Sequence, residues 1–294
     1  MIVSSLFLRI LFINSQEVVR LDPNAVVVTA TPSMSTIPPV TIIGAGPGDP
    51  DLITLRGQQR LAQADVVFYT GSLVPPAMLQ HCRRDSEQID TRGETLEHWV
   101  SRLLQDVQAG KTVVRLQDGD PSLYGAVHEL VVYLIQDKIP FEIVPGVSAF
   151  QAAAARLQTE LTVPNLVQTI ILTRTQGRTQ VPSREDLASL ARHRASLCLY
   201  LSAGQIHKAQ SQLLQHYPPE TPMALCYRLG WEDELVELGT VADMAPMTEQ
   251  LGLKRTVLYV VSPALGATTE GRSRLYDRQH HHLFRPPSSQ TGEC

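Results

Sequence analysis

Short apolar runs that alternate with stretches of helical periodicity constrain this chain more than any other feature. Val40–Ile43, Val66–Tyr69, Thr112–Leu116 and Phe141–Val144 read as buried strands, with Gln88–Asp90 as a shorter one. Between them, Thr54–Ala64 reads as a helix with Leu55, Leu61 and Ala62 facing inward. Pro75–Cys82 reads as a short helix opened by two prolines, which suit a first turn. Thr95–Ala109 carries Leu96, Trp99, Val100, Leu103, Leu104 and Val107 at helical spacing, and Gly110 stops it. Gly125–Asp137 is the next helix. After Pro145-Gly146 and an alanine-rich helix, Ala149–Leu157, the pattern resumes. Thr169–Leu172, Ser196–Leu201, Met223–Tyr227, Glu234–Thr240 and Thr256–Val261 read as strands, and Arg184–Ala191 and Gly204–His216 as helices. Alternation of this kind means sheets covered by helices, an α/β fold. The last strands follow one another closely, which predicts antiparallel edges.

This pattern divides into two α/β lobes, about 40–145 and 165–264, joined by a connecting helix and linker at 146–164, with a cleft between the lobes as the default ligand site. Residues 1–39 read as an extension, expected to be disordered, and Met34 as the natural start. Residues 265–294 read as a flexible polar tail, with His280-His281-His282 as adventitious metal binders at most. An apolar content of 43% permits a sizeable core. A net charge of −4 without basic runs argues against a nucleic-acid surface. No apolar run approaches the ~20 residues of a membrane span. Ile2–Ile13 lacks the basic start and small-residue cleavage site of a signal peptide. The cysteines, Cys82, Cys198, Cys226 and Cys294, form no C-x-x-C pair and read as core residues or free thiols in a reducing compartment, which suggests the cytoplasm. The histidines form no metal cluster.

Three strand-to-helix junctions carry the chemistry. The first is Gly44-Ala45-Gly46-Pro47-Gly48-Asp49-Pro50-Asp51. Its Gly-x-Gly-x-Gly spacing lacks the third glycine of a dinucleotide fingerprint. Pro47 has no N–H to offer a phosphate, and Asp49 and Asp51 repel one. The second, Gln117-Asp118-Gly119-Asp120-Pro121-Ser122-Leu123-Tyr124-Gly125, and the third, Pro145-Gly146-Val147-Ser148-Ala149, have the same character. Each alone is explained by turn chemistry. Three at the ends of neighbouring strands would converge on one crevice. Their proline and acids fit a cationic or zwitterionic ligand better than a polyphosphate.

The segments GAGPGDPDLIT (44–54), DGDPSLYG (118–125) and PGVSA (145–149) resemble the tetrapyrrole (corrin/porphyrin) methyltransferase family, over about residues 40–264. The stretch Tyr69–Val74 and the segment Glu160–Pro164 followed by Gln168–Thr179, with its Thr173-Arg174-Thr175-Gln176-Gly177-Arg178-Thr179, resemble the precorrin-4 C11-methyltransferase branch. The resemblance implies a two-lobed fold, usually homodimeric, with S-adenosyl-methionine bound in the cleft. Carried over position by position, it places Pro47, Asp118, Gly119, Asp120, Leu123, Ser148, Ala149, Leu201 and Leu229 at that cofactor. It implies methyl transfer to C11 of precorrin-4 or cobalt-precorrin-4 in cobalamin biosynthesis.

Asp120 and Tyr124 are candidates for a proton acceptor, against a helix N-cap for Asp120 and a packed ring for Tyr124. Such a substrate bears many carboxylates, so Arg174 and Arg178 are candidates to meet it, with Arg56 and Arg228 behind them. The alternatives keep the fold and change the acceptor to uroporphyrinogen III, another precorrin or diphthine, or leave the class altogether as a dinucleotide-dependent oxidoreductase or a non-enzymatic binding protein.

Overall fold

The structure is a computed structural model that describes residues 37–177, 179–267, 273, 280 and 283–285. Residues 1–36 of the N-terminal extension with its Met34 start, Arg178, Cys294 and most of the tail, including His281 and His282, lie outside the described residues.

The first sheet has the order β3-β2-β4-β1-β5 and is parallel throughout, built from β1 (Val40–Gly44), β2 (Val66–Tyr69), β3 (Glu87–Asp90), β4 (Val113–Gln117) and β5 (Phe141–Val144). Every residue of β1 and β4 is buried, as a parallel sheet with both faces covered requires. Alternate side chains divide between two cores. Val40, Ile42, Val66, Phe68 and Val113 pack on one face under α2 (Leu96–Gln108) and α3 (Val127–Gln136). Ile43, Val67, Val114 and Leu116 pack on the other with Leu61 of α1 (Leu55–Leu61) and Met78 of the 3-10 turn Pro76–His81.

The second sheet has the order β6-β7-β10-β8-β9, from β6 (Ile170–Arg174), β7 (Ser196–Tyr200), β8 (Pro222–Tyr227), β9 (Leu235–Thr240) and β10 (Val257–Val261). Helices α5 (Leu187–Ala191), α6 (Ile206–Leu213) and α7 (Met244–Gln250) cover one face. The alanine-rich α4 (Ala149–Arg156) packs through Ala153 on the other, against Cys198, Ala224, Cys226, Leu258 and Val260. Small side chains let this helix lie close to the strands.

The antiparallel pairing expected near the C-terminus is present but not confined to an edge. Strand β10 sits in the middle and runs against both β7 and β8, so β6, β7 and β8 share one direction. Arg174, Leu201 and Leu229 therefore emerge at the same end of the sheet.

Several sequence expectations need correction. Leu55 is 77% exposed and Ala62 is also exposed, because α1 turns Gly57 and Leu61 to the sheet. A Cβ on Gly57 would stand 2.9 Å from Ile43 Cγ2, so this close approach sets the helix rotation. Helix α3 starts at Val127 and not Gly125, since Tyr124 (φ 57°) and Ala126 (φ 52°) are left-handed. Residues 184–191 and 204–216 each split into a 3-10 turn and a shorter α-helix. Helix α7 went unread because it contains Pro246, which is tolerated in a first turn whose N–H groups have no intrahelical partner. No helix among the described residues is long and apolar enough to cross a membrane.

Candidate functional site

The three glycine-bearing loops follow β1, β4 and β5, which are adjacent in the order β4-β1-β5, so they meet. Gly46 and Gly119 exchange backbone hydrogen bonds, Gly46 N–H to Gly119 O at 3.2 Å and Gly119 N–H to Gly46 O at 2.8 Å. Both have positive φ, 80° and 60°. A Cβ on Gly44 would lie 2.5 Å from Gly146 N, and one on Gly146 would lie 2.3 Å from Gly119 O. Only bare backbone fits this junction. The Thr54 hydroxyl caps α1 by accepting from Gly57 N–H at 3.2 Å and reaches Pro145 O at 3.4 Å, adding a tie to the third loop.

Asp120 binds the loops together. Its Oδ2 accepts from Gly146 N–H at 2.9 Å, and its Oδ1 accepts from Ser122 N–H at 2.9 Å and from the Ser122 hydroxyl. Burial pushes its carboxyl up, but the bonds from Ser122 and Gly146 outweigh burial and hold it below the usual carboxylate range. It does not cap a helix, since α3 starts seven positions on, at Val127. Asp118 accepts from Gln117 Nε2 at 3.0 Å. Burial raises its pKa, against hydrogen bonding and the nearby Arg115 charge.

Sequence reading missed Arg115, although a lone cation inside the run Val113–Leu116 was the available signal. It is buried beneath the loops, donates to Thr91 Oγ1 at 3.0 Å and Thr70 Oγ1 at 2.8 Å, and stacks 4.7 Å from the centroid of Trp99. Burial lowers its pKa to about 10, with Asp118 opposing. His81 was also missed as a contributor. Its Nε2 lies 3.1 Å from Pro50 O and its Nδ1 3.2 Å from Gln58 Nε2, which anchors the end of the first loop to α1.

Across the lobe boundary, the turn after β8 meets the first loop. Trp231 Nε1–H donates to Pro47 O at 3.3 Å. Leu229, 5% exposed, and Gly230 help line a groove of about 350 Å³ with Pro47, Leu52, Val147 and Ala152. Of the nine predicted cofactor positions, Pro47 and Leu229 line this groove. Asp118, Gly119, Asp120, Leu123, Ser148, Ala149 and Leu201 do not. Ser148 is buried at the start of α4, where its N–H donates to Gln151 Oε1 at 2.9 Å.

A second cluster joins the lobes at Tyr124, which is 42% exposed and whose ring lies 5.3 Å from that of Tyr200. The Tyr200 hydroxyl accepts from Phe150 N–H at 3.1 Å, at the start of α4. Leu201, 59% exposed with φ 51°, follows directly. Burial raises the Tyr124 phenol, opposed by the Arg174 charge, so these two groups are close enough to interact. Arg174 Nε is buried without a hydrogen-bond partner among the described residues. Arg56 stands 4.0 Å from Glu142, and Arg228 pairs with Asp233 at 2.8 Å, so both already face a carboxylate.

No group of three metal-ligating side chains occurs among the described residues. Cys198 and Cys226 are buried, with thiols pushed up to about 12, chiefly by burial. They are packing residues.

A family profile described as Tetrapyrrole (Corrin/Porphyrin) Methylases matches residues 39–245. The chain belongs to this family. Among its methylase relatives, the precorrin-4 C(11)-methyltransferase of Pseudomonas aeruginosa is 44% identical over 84% of this chain and 98% of its own length. The cobalt-precorrin-4 C(11)-methyltransferase of Methanocaldococcus jannaschii is 40% identical over 84% of this chain and 95% of its own. A solved cobalt precorrin-4 methyltransferase is 40% identical, with a TM-score of 0.74 over 77% of this chain and 95% of that one. A uroporphyrin-III C-methyl transferase from Thermus thermophilus, complexed with S-adenyl homocysteine, is 25% identical with a TM-score of 0.67 over 78% of this chain and 99% of that one.

Two predictions follow from the loop junction. Gly146→Ala forces a methyl group into backbone and should cost at least about 2 kcal/mol, read as a lowered midpoint in denaturant. Asp120→Asn tests the acid tie. Because the folded-state pKa of Asp120 is depressed, its stabilising contribution is complete above the ordinary aspartate value of about 4 and is lost as pH falls through the lowered one. The variant should be less stable than the parent at pH 7, and the gap should close in acid. Denaturation curves across pH 2–7 measure this, and a gap that does not change with pH would reject it.

Proposed function

We propose that this methyltransferase transfers a methyl group from S-adenosyl-methionine to C11 of precorrin-4 or cobalt-precorrin-4 in cobalamin biosynthesis. The observation that carries the reading is the interlocked set of proline- and acid-bearing loops at the ends of β1, β4 and β5, facing the Leu201 and Leu229 ends of β7 and β8, in a chain so similar to precorrin-4 enzymes along nearly its whole length. The donor set suits such a ligand. Pro47 offers a wall and no phosphate-binding N–H. Asp118 and Asp120 supply negative charge where a sulfonium and an ammonium need it. Gly119, Leu123, Ser148 and Ala149 complete the first lobe's share of the binding surface, and Leu201 and Leu229 close it from the second.

When bound, the sulfonium supplies an already activated methyl group. The C–S bond breaks with its electron pair going to sulfur, and the new C–C bond forms from the ring's π electrons. The chain's residues then have to align donor and acceptor, which contributes about 7–11 kcal/mol by proximity. Neither Asp120 nor Tyr124 is well placed to take a proton. The Asp120 carboxylate is committed to Ser122 and Gly146, and the raised Tyr124 phenol keeps its own proton at neutral pH. We assign Asp120 to holding the loops and Tyr124 to lining the cleft. Arg174, with its buried unpartnered Nε beside Tyr124, is suited to a peripheral carboxylate of the acceptor. Arg178 belongs to the same proposal on sequence grounds alone. The reading also includes two lobes at 40–145 and 165–264 and a homodimer in the cytoplasm, the dimer being open to sedimentation analysis.

Calorimetry should show binding of S-adenosyl-homocysteine and none of NAD; the reverse result rejects the cofactor. With labelled methyl donor, transfer to precorrin-4 or its cobalt form is expected, and transfer to uroporphyrinogen III alone rejects the C11 assignment. Arg174→Met should raise the acceptor KM by roughly tenfold, the scale of a lost charge-assisted hydrogen bond. S-adenosyl-homocysteine affinity should stay at the parent value. A drop in cofactor affinity with an unchanged acceptor KM would place Arg174 at the other ligand.

A further inference from the structure

The turn after β8 does more than border the groove. Trp231 lies against the first loop, where its indole N–H bonds the Pro47 carbonyl at 3.3 Å. Both segments are shaped for this contact. A Cβ on Gly48 would fall 2.4 Å from Trp231 Cδ1. Gly230 has φ 78°, and a Cβ there would fall 2.3 Å from Asp49 N. On its other side the indole is braced. The Arg228 guanidinium stacks 3.9 Å from a Trp231 ring centroid and is itself held by Asp233 at 2.8 Å. Glu234 fixes the turn by accepting from Gly230 N–H at 2.7 Å and from Arg156 of α4 at 2.6 Å.

We propose that Trp231 is a positioning residue that clamps the first loop across the lobe boundary and so sets the cofactor wall at Pro47. Pro47 has no N–H, and its carbonyl is taken by the indole, so the orientation of this peptide is fixed from the second lobe. Arg228, a candidate substrate ligand by sequence, becomes the backing of the clamp. The proposal rests on the cofactor reading above for its ligand, although the clamp itself is a property of the free protein.

Trp231→Phe keeps an aromatic ring for Arg228 and removes the donor together with the pyrrole edge that lies against Gly48. Without ligand, amide hydrogen exchange should accelerate in peptides covering residues 44–52 and stay unchanged elsewhere. Unchanged exchange there, or acceleration throughout the chain, would overturn the clamp. With ligand, the dissociation constant for S-adenosyl-homocysteine and the KM for the methyl donor should rise by about fivefold, while kcat changes by less than about twofold. Equal losses in kcat and kcat/KM would overturn the positioning role. The sequence has two tryptophans, so Trp99→Phe leaves Trp231 as the sole indole. Its emission should shift as S-adenosyl-homocysteine saturates the site, and a constant emission at saturation counts against the proposal. If the parent binds no S-adenosyl-homocysteine, the cofactor reading falls, and the ligand-free exchange comparison still decides the clamp.

Discussion

The ligand end of the first sheet depends on backbone touching backbone at Gly44, Gly119 and Gly146. Parallel strands β4, β1 and β5 stand side by side, so the loops leaving them compete for one small space. Any side chain at Gly44 or Gly146 would come within 2.7 Å of another loop's main chain. Leaving out the side chains lets three loops share the space, and the Gly46–Gly119 hydrogen-bond pair and the Asp120–Gly146 bond then fix their relative positions. The result is a surface whose shape comes from main chain and is set before any ligand arrives. Preorganisation of this kind is what an enzyme limited by alignment requires.

Charge is arranged around the same junction. Asp118 and Asp120 make the loops acidic, and Arg115 lies under them, buried and held by Thr70, Thr91 and Trp99. The Arg115 bonds run from β4 to the ends of β2 and β3, so one cation ties three strands together. A buried charge is expensive unless its hydrogen bonds are made. Here the hydroxyls and the aromatic face supply them, and Asp118 supplies countercharge at longer range.

Much of this was legible in the sequence because loop chemistry is local. Proline, glycine and acids between an apolar run and a helix mark a turn that rejects phosphate whatever the fold, and strand adjacency was the one assumption needed for convergence. The structure supplies that adjacency. Sequence could not show what long-range packing decides. The rotation of α1 follows from the approach of Gly57 to Ile43, so Leu55 faces outward against its periodicity. The late start of α3 follows from left-handed Tyr124 and Ala126, which are ordinary residues without glycine's signal. Helix α7 was hidden by Pro246, and His81 by the absence of any local sign that it reaches Pro50.

The second lobe shows why its strand order matters more than its strand count. Had β10 been an edge strand, as sequence proximity suggested, β7 and β8 would be direct neighbours. With β10 inserted antiparallel between them, β7 and β8 stay parallel to each other but one strand apart. Their ends, Leu201 and the 228–231 turn, are thereby separated along the lip of the cleft. One end stands by Tyr124 of the second loop through the Tyr124–Tyr200 contact, and the other by Pro47 of the first loop through Trp231. A central antiparallel strand thus acts as a spacer, and it lets one sheet brace two different loops of the other lobe at once.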